Sequence, residues 1–236
     1  ATFCGLHYVG VPLAEDFSLD ADEMVLRIVR HRPAVVFIAY PNNPTGTLFD
    51  AESLARVLRA APGLVVIDEA YHAFAGASYL GELARHPNLL VMRTLSKLGL
   101  AALRLGFVAG APRWLAEIDK LRLPYNINSL TQAIAARLVE NVERLNEQAA
   151  AIVAARGQLA HALADMPELE VWPSHANFIL FRVPDAPRVF DRLKRHGVLI
   201  KNLHGSHPML DNCLRVTVGI GLENAAFLNA LRASLA

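Results

Sequence analysis

The sequence predicts an α/β protein: a mostly parallel sheet with helices on both faces, followed by a smaller α+β domain. In the first half, apolar runs of four to six residues alternate with amphipathic helical segments, a spacing typical of a parallel sheet. From Ser129 to Ala164 the chain is rich in Ala, Leu, Glu and Arg and contains no proline. Short strands and two helices follow. We therefore predict a large domain over 1–125, connecting helices over 126–160 and a small domain over 161–236.

The elements of the large domain follow from local signals. Asp20 and Asp50 are suited to cap helices over about 21–31 and about 51–61, and Pro112 suits the first position of a helix that runs to about Arg122. The predicted strands are Tyr8–Leu13, Ala34–Ala39, Leu64–Ile67, Leu89–Met92 and Leu105–Ala109. Three of these are continuous apolar runs, as expected of strands buried on both faces.

The second half predicts a different layer of structure. The proline-free stretch Ser129–Ala164 forms one or two long helices. The predicted strands that follow are Glu170–Pro173, Asn177–Val183, Val198–Lys201 and Leu214–Val218, and the predicted helices are Pro187–His196 and Leu222–Leu235.

Composition excludes several classes of function. The net charge is +1 and the basic residues are scattered, whereas nucleic-acid-binding proteins concentrate them on one face. The two cysteines, Cys4 and Cys213, lie far apart, which predicts neither a zinc site nor a disulfide framework. The pair His204 and His207 lies in a loop without nearby acids, so we expect no metal. No bilayer-length apolar stretch or signal peptide is seen, and we expect a cytoplasmic protein without membrane contact.

Polar side chains follow three neighbouring strands of the predicted sheet, where ligands bind in folds of this topology. They are Asn43 after the first strand, Asp68 and Tyr71 after the second, and Ser96 and Lys97 after the third, with Arg104 shortly behind. One edge of the sheet thus gathers an amide, an acid, a phenol, an amine and a guanidinium.

The chemistry of Lys97 is the most specific signal of this group. An amine at the end of a buried strand is partly removed from water, which favours its neutral form and lets it form a Schiff base with a carbonyl cofactor. Taken singly, Lys97 also fits a surface lysine, Asp68 a helix cap, and Asn43 a turn residue. Arg215, flanked by apolar residues on a strand, needs an anionic partner if it is buried. Their joint order on strand ends favours a functional site.

The motifs in this order resemble those of the fold-type I pyridoxal-phosphate aminotransferases, and within them the histidinol-phosphate aminotransferases. The segments that carry the resemblance are Pro41–Gly46 (PNNPTG), Asp68–Tyr71 (DEAY), Thr94–Ala101 (TLSKLGLA), Arg104–Gly106, Asn177–Phe178 and Leu214–Gly219. They span nearly the whole chain. The resemblance implies a homodimer that uses pyridoxal 5'-phosphate.

The resemblance also implies a role for each cofactor-binding residue. Lys97 would hold the cofactor covalently and then carry a proton as the catalytic residue. Asp68 would pair with the pyridine nitrogen and keep it protonated, so that the ring can accept electrons. The cofactor's ring oxygen would be bound by Tyr71 and Asn43. Its phosphate would be bound by Ser96 and Arg104.

The implied substrates place two demands on one site. Histidinol phosphate carries a phosphate and no carboxylate, whereas glutamate, the partner of 2-oxoglutarate, carries two carboxylates. Arg215 would bind either anion, because a guanidinium matches both groups. Lys201 stands where the family has a second arginine, and Asn43 is expected to contact the substrate as well.

Two motifs of the family are not found in this sequence. The family's glycine-rich phosphate loop, and the tyrosine that each subunit lends to its partner, would precede Ala1, so we expect further residues upstream. An aromatic amino-acid aminotransferase, a threonine-phosphate decarboxylase-like enzyme and a non-catalytic, truncated remnant of the fold remain alternatives. The remnant is disfavoured because Lys97 and Asp68 are both present.

Overall fold

Two four-stranded sheets organise the chain in the computed structural model, which describes residues 1–235. The strands of sheet 1 are β1 (Val35–Ala39), β2 (Leu64–Asp68), β3 (Leu89–Thr94) and β4 (Gly106–Gly110). The strands of sheet 2 are β5 (Glu170–Val171), β6 (Phe178–Arg182), β7 (Lys201–Asn202) and β8 (Cys213–Thr217).

Within residues 1–235 there are eight α-helices. They are α1 (Ala21–His31), α2 (Ala51–Ala60), α3 (His72–Ala75), α4 (Pro112–Asp119), α5 (Ser129–Val139), α6 (Val142–Ala164), α7 (Ala186–Arg195) and α8 (Gly221–Leu235). The proline-free stretch therefore forms two helices, of which α6 is the longer.

Sheet 1 has the strand order β1-β2-β3-β4, in which β1, β2 and β3 are parallel and β4 is antiparallel. The predicted α/β class with a mostly parallel sheet is confirmed. Because the first three strands run in the same direction, their carboxyl ends meet at one edge, and Ala39, Asp68 and Met92 lie side by side there.

Helices α1 and α2 cover one face of sheet 1. Both begin at the predicted caps, since the carboxylates of Asp20 and Asp50 accept hydrogen bonds from backbone N–H groups three residues ahead. Leu54 and Val57 of α2 are fully buried against the sheet. On the opposite face, Phe37 of β1 is 68% exposed; helices therefore do not cover that face at Phe37.

Sheet 2 is antiparallel throughout, in the order β5-β6-β8-β7. One of its faces packs on α6, α7 and α8 in a separate hydrophobic core. A smaller cluster joins the two halves, with Tyr71 and Phe74 on one side and Ala149, Ala176 and Phe178 on the other. At this junction Arg156 of α6 donates hydrogen bonds to the carbonyl oxygens of Phe74 and Ala176.

Three local predictions were wrong. Tyr8–Leu13 forms no strand; Gly10 and Pro12 weaken a strand there, and no neighbouring strand pairs with the segment within residues 1–235. The strand predicted at Val198–Lys201 begins only at Lys201, because the Val198 N–H donates to the Leu193 carbonyl and extends the end of α7. The helix from Pro112 ends at Asp119, before Arg122.

Candidate active site

The carboxyl end of β2 presents Asp68 on the face of sheet 1 opposite to α1 and α2. Its neighbours across the sheet are Ala39 and Met92. One carboxylate oxygen, Oδ1, accepts a hydrogen bond of 3.0 Å from the Ala70 N–H. The other oxygen is left for a further donor, so a half-buried acid is held in a fixed orientation at the strand end.

Lys97 lies in a single 3-10 turn, Ser96–Leu98, directly after β3. Its Nζ atom is 5.3 Å from the centroid of the Tyr71 ring, a distance at which an ammonium is attracted to the ring face. Lys97 is exposed in the structure of residues 1–235. The prediction that its side chain is partly removed from water is therefore wrong. A groove of about 760 Å³ opens beside this turn, between residues 98–100 and helices α5 and α6.

A line of aromatic contacts connects Lys97 with sheet 2. Tyr71 is buried and meets the ring of Phe178 edge-on, with centroids 5.1 Å apart. The guanidinium carbon of Arg215 lies 4.7 Å from the centroid of the same Phe178 ring. Phe178 and Arg215 come from adjacent strands, β6 and β8, and face the same side of sheet 2.

Arg215 completes the line by contacting the loop after β1. Its Nη1 donates a hydrogen bond to Oδ1 of Asn43, which leaves the amide Nδ2 of Asn43 available as a donor. Nε of Arg215 is buried and has no hydrogen-bond partner in residues 1–235. Because a buried, unpaired guanidinium nitrogen is costly, the site favours an additional acceptor such as an anion.

Lys201 lies directly opposite Arg215 across the β7–β8 pair. Directly opposed residues of antiparallel strands have Cβ atoms about 5 Å apart and point to the same face. Two like charges in this arrangement repel each other unless an anion lies between them. Lys201 is exposed and therefore accessible to such an anion.

Ser96 and Arg104 are held within the loop that follows β3. The Thr94 hydroxyl donates to the Ser96 hydroxyl at 3.0 Å and accepts from the Ser96 N–H. Arg104 adopts a left-handed conformation with φ of 51°, and its Nη1 donates to the Ala101 carbonyl at 3.3 Å. The structure thus does not bring the Arg104 guanidinium into contact with Lys97 or Asp68.

Two histidines near the site have their pKa lowered by their surroundings. Burial, together with the charge of Arg93, lowers the pKa of His72 below its ordinary value. Burial and the charge of Arg156 likewise lower the pKa of His175.

The backbone N–H of His175 donates a hydrogen bond to the Gly46 carbonyl. The loop Pro41–Gly46 is therefore attached to the segment that leads into β6.

The described residues were also compared with the requirements of a metal site and of a membrane-spanning helix. No group of three or more His, Cys, Asp or Glu side chains in residues 1–235 is arranged to hold a metal ion. The rings of His204 and His207 instead accept hydrogen bonds from the backbone N–H groups of Asn212 and Met209. In the same part of the chain, every helix is too short or too polar to cross a bilayer.

Sequence reasoning missed the link made by Phe178 and a buried ion pair between Glu69 and Arg93. The alternation of β6 places Phe178 on the side opposite to the core residues Ile179 and Phe181, and this signal was present in the sequence. The pairing of Glu69 with Arg93 had no such signal, because it depends on the register of β2 and β3.

The fold and the site together define a class of protein. The chain belongs to the aminotransferase class I and II family, whose profile matches residues 1–233.

Within this family, the chain is similar to several histidinol-phosphate aminotransferases. The chain is 53% identical over 232 residues to the histidinol-phosphate aminotransferase of Chromobacterium violaceum, covering 98% of this chain and 65% of the relative. It is 56% identical to histidinol-phosphate aminotransferase 2 of Nitrosococcus oceani, covering 99% and 65%. The chain thus spans about two thirds of the length of these relatives. A solved histidinol-phosphate aminotransferase from Sinorhizobium meliloti, in complex with pyridoxal-5'-phosphate, superimposes with a TM-score of 0.86 at 28% identity, covering 96% of this chain and 64% of that one.

Proposed function

We propose that the protein is a pyridoxal-phosphate-dependent histidinol-phosphate aminotransferase of histidine biosynthesis. It would transfer an amino group between histidinol phosphate and 2-oxoglutarate. The observation that carries this proposal is the continuous line of contacts Lys97–Tyr71–Phe178–Arg215–Asn43, with Asp68 at the neighbouring strand end. The resemblance to relatives of that name supports the choice of substrate.

The side chains at the strand ends fit the cofactor chemically. Asp68 has a carboxylate oxygen left for the protonated pyridine nitrogen. Asn43 has its amide Nδ2 left to donate to the ring oxygen, which Tyr71 would also bind. Lys97 is the amine for the covalent bond. Ser96 and Arg104 would hold the phosphate, for which Arg104 would have to exchange its bond to the Ala101 carbonyl for a stronger charge-assisted one.

The residues of the chain divide the chemical work. When bound, pyridoxal phosphate supplies an aldehyde that accepts the amino group and a ring that withdraws electrons from the adjacent carbon. Lys97 would carry a proton on its Nζ between the substrate carbon and the cofactor's carbonyl carbon. Asp68 would pair with the pyridine nitrogen and favour its protonated form, because a carboxylate stabilises a neighbouring cation. Tyr71 fixes the position of Lys97 through the contact with its ring.

Arg215 and Lys201 would bind the anionic end of each substrate. The unpaired Nε of Arg215 and the opposed charge of Lys201 favour a doubly charged group between them. A phosphate satisfies both cations in one half-reaction, and a carboxylate satisfies the Arg215 fork in the other. Asn43 lies within hydrogen-bond reach of Arg215 and would help to orient the bound substrate.

We propose that the chain is organised in two domains joined by connecting helices. The large domain would cover 1–125, the connecting helices 126–160 and the small domain 161–236, a division supported by the two separate hydrophobic cores. The protein would act as a homodimer in the cytoplasm. Free cysteines at Cys4 and Cys213 are consistent with a reducing compartment. Sedimentation of the purified protein tests the dimer.

Spectroscopy and amino-donor competition test the proposal. The complete protein should become yellow with pyridoxal phosphate, and borohydride should fix the cofactor on Lys97. Lys97→Ala should abolish this labelling, and Lys97→Arg, which keeps the charge, should abolish it equally. Histidinol phosphate should be preferred to phenylalanine as the amino donor. Release of CO₂ from threonine phosphate, or a preference for phenylalanine, would instead select one of the alternatives, and a protein that binds no cofactor would indicate a non-catalytic remnant.

A further inference from the structure

Glu69 is a fully buried carboxylate that the proposed chemistry does not use. It follows Asp68 directly but points to the opposite face of sheet 1, towards the core that contains Tyr40 and Tyr79. Its Oε1 accepts a hydrogen bond of 2.5 Å from the Tyr79 N–H. Its Oε2 accepts one of 3.0 Å from the Ser78 hydroxyl. Each hydrogen bond that the carboxylate accepts reduces the free-energy cost of burying it.

Arg93 supplies the opposite charge from the next strand. Its Nε donates to Glu69 Oε2 at 3.0 Å, and its Nη2 lies 2.9 Å from the same oxygen. Nη2 also donates to the Ser78 hydroxyl at 2.7 Å. The side chain of Arg93 is 15% exposed and that of Glu69 is not exposed at all, so water screens this ion pair very little.

The pair lies directly behind the candidate site. Glu69 is one residue from Asp68, and Arg93 is four residues from Lys97. The last backbone hydrogen bond between β2 and β3 runs from the Glu69 N–H to the Met92 carbonyl. Beyond it the two chains separate, since β2 turns into α3 while β3 continues beside β4. The ion pair is therefore the next link that joins the strand ends carrying Asp68 and Lys97.

We propose that Glu69 and Arg93 are positioning residues, which set the separation and orientation of Asp68 and Lys97 by tying the ends of β2 and β3 together. This role rests on the proposed function, because it concerns the cofactor that would bridge those two side chains. The guanidinium fork suits the task, since it holds a carboxylate and a hydroxyl at fixed angles at once. The pair is also neutral as a whole, so it adds little net charge behind the carboxylate of Asp68.

On the core side, Glu69 lies beside two buried tyrosines, Tyr40 and Tyr79. Burial, followed by the charge of Glu69, raises the pKa of Tyr40. Burial raises the pKa of Tyr79 to about 12, with smaller contributions from neighbouring phenol and carboxylate groups. The rings of Tyr40 and Tyr79 meet edge-on at 5.2 Å, so Glu69 is packed among groups that stay neutral, and Arg93 is its nearest positive partner.

A charge-neutral double variant tests this role without leaving a buried charge unpaired. Single substitutions would leave one ion without its partner, which is strongly destabilising, whereas replacing both partners is tolerated in other buried ion pairs. Glu69→Gln/Arg93→Met should therefore fold, with its thermal midpoint close to that of the wild type. The matched control is Glu170→Gln/Arg182→Met, which removes an ion pair between the neighbouring strands β5 and β6 of sheet 2.

The measurements are the dissociation constant of pyridoxal phosphate and the pH at which the visible spectrum of the bound cofactor changes. The double variant should bind the cofactor about tenfold to a hundredfold more weakly, the loss expected from a small displacement of reacting groups. Its spectral transition should shift in pH, while the control matches the wild type. Should the double variant fail to fold, Arg93→Lys keeps the charge but loses the fork, and should show the same shift to a smaller extent.

Two outcomes would overturn the role, and they are distinguishable. A folded double variant, or a folded Arg93→Lys, with the cofactor affinity and spectral transition of the wild type would overturn the positioning role alone. A wild-type protein that takes up no pyridoxal phosphate would overturn the proposed function, and this role with it.

Discussion

The guanidinium of Arg215 donates a hydrogen bond to the side-chain oxygen of Asn43, a residue 172 positions away in the chain. Arg215 belongs to sheet 2 and Asn43 follows β1 of sheet 1. The bond therefore joins the residue proposed to bind the substrate anion to a residue proposed to bind the cofactor. An anion that attracts the guanidinium will compete with Asn43 for its donors.

Arg215→Met should weaken both half-reactions. Because the guanidinium is partly buried on the ring of Phe178, truncating it removes a desolvated charge, and KM for histidinol phosphate and for 2-oxoglutarate should each rise about a hundredfold. Arg215→Lys keeps the charge without the fork and should fall between. Steady-state kinetics check this, with Arg188→Met on the surface of α7 as the control. An unchanged KM for both substrates would remove Arg215 from the substrate site.

Lys201→Met should discriminate between the two substrates. A phosphate carries about two negative charges and a carboxylate one, so the second cation matters more for histidinol phosphate. KM for histidinol phosphate should rise several-fold more than KM for glutamate, and added salt should reduce the difference for this exposed residue. Equal effects on both substrates would argue that Lys201 does not contact the phosphate.

Gly46→Ala should destabilise the protein more than Gly76→Ala. Both glycines have a left-handed backbone, with φ of 79° and 69°, so each substitution costs backbone strain of about 1–3 kcal/mol. A Cβ at Gly46 would also overlap the side chain of Ser174, whereas at Gly76 it would meet nothing within 4 Å. Urea denaturation of the two variants measures the difference. Equal losses would indicate that the Pro41–Gly46 loop does not pack closely on the segment before β6.

The stability should fall as the pH is lowered from about 7.5 to about 5.5, and His72 should contribute to that loss. Burial lowers the pKa of His72 in the folded protein. Below the ordinary histidine pKa of about 6.5 the unfolded chain binds a proton that the folded chain does not, so folding becomes less favourable until the lowered pKa is reached. His72→Gln should reduce the loss, measured by thermal denaturation at each pH, and His161→Gln on the exposed face of α6 should not. A wild-type-like pH profile for His72→Gln would contradict this.

The elements that carry their own local signal were predictable. Asp20 and Asp50 start α1 and α2 as expected, because a cap needs only its own side chain and the next three residues. The ends of β1, β2 and β3 were also predicted to within two residues. Because these strands are parallel, the segments with Asn43, Asp68 and Lys97 follow them at one edge of the sheet. The strand prediction for Tyr8–Leu13 was wrong because a short apolar segment does not supply the neighbouring strand that a strand requires.

The contacts between the two halves were beyond the reach of the sequence pattern. The bond from Arg215 to Asn43 and the packing of Phe178 on Tyr71 depend on how sheet 2 docks against sheet 1, and no local periodicity encodes that orientation. The same holds for Arg156, which donates hydrogen bonds to the Phe74 and Ala176 carbonyls. From the sequence alone, Arg156 is indistinguishable from an arginine on the surface of a helix. Exposure of Lys97 was likewise decided by tertiary structure.

The outermost strand of sheet 1 bears on how this chain associates with other molecules. β1 is the outermost strand of the sheet within residues 1–235, and it presents Val35 and Phe37 to water, 41% and 68% exposed. An outer strand with unpaired backbone groups and an aromatic side chain in solvent is a template for adding further strands from other molecules. Within the described residues, the edge of β1 is therefore a place where strand addition from another chain is expected.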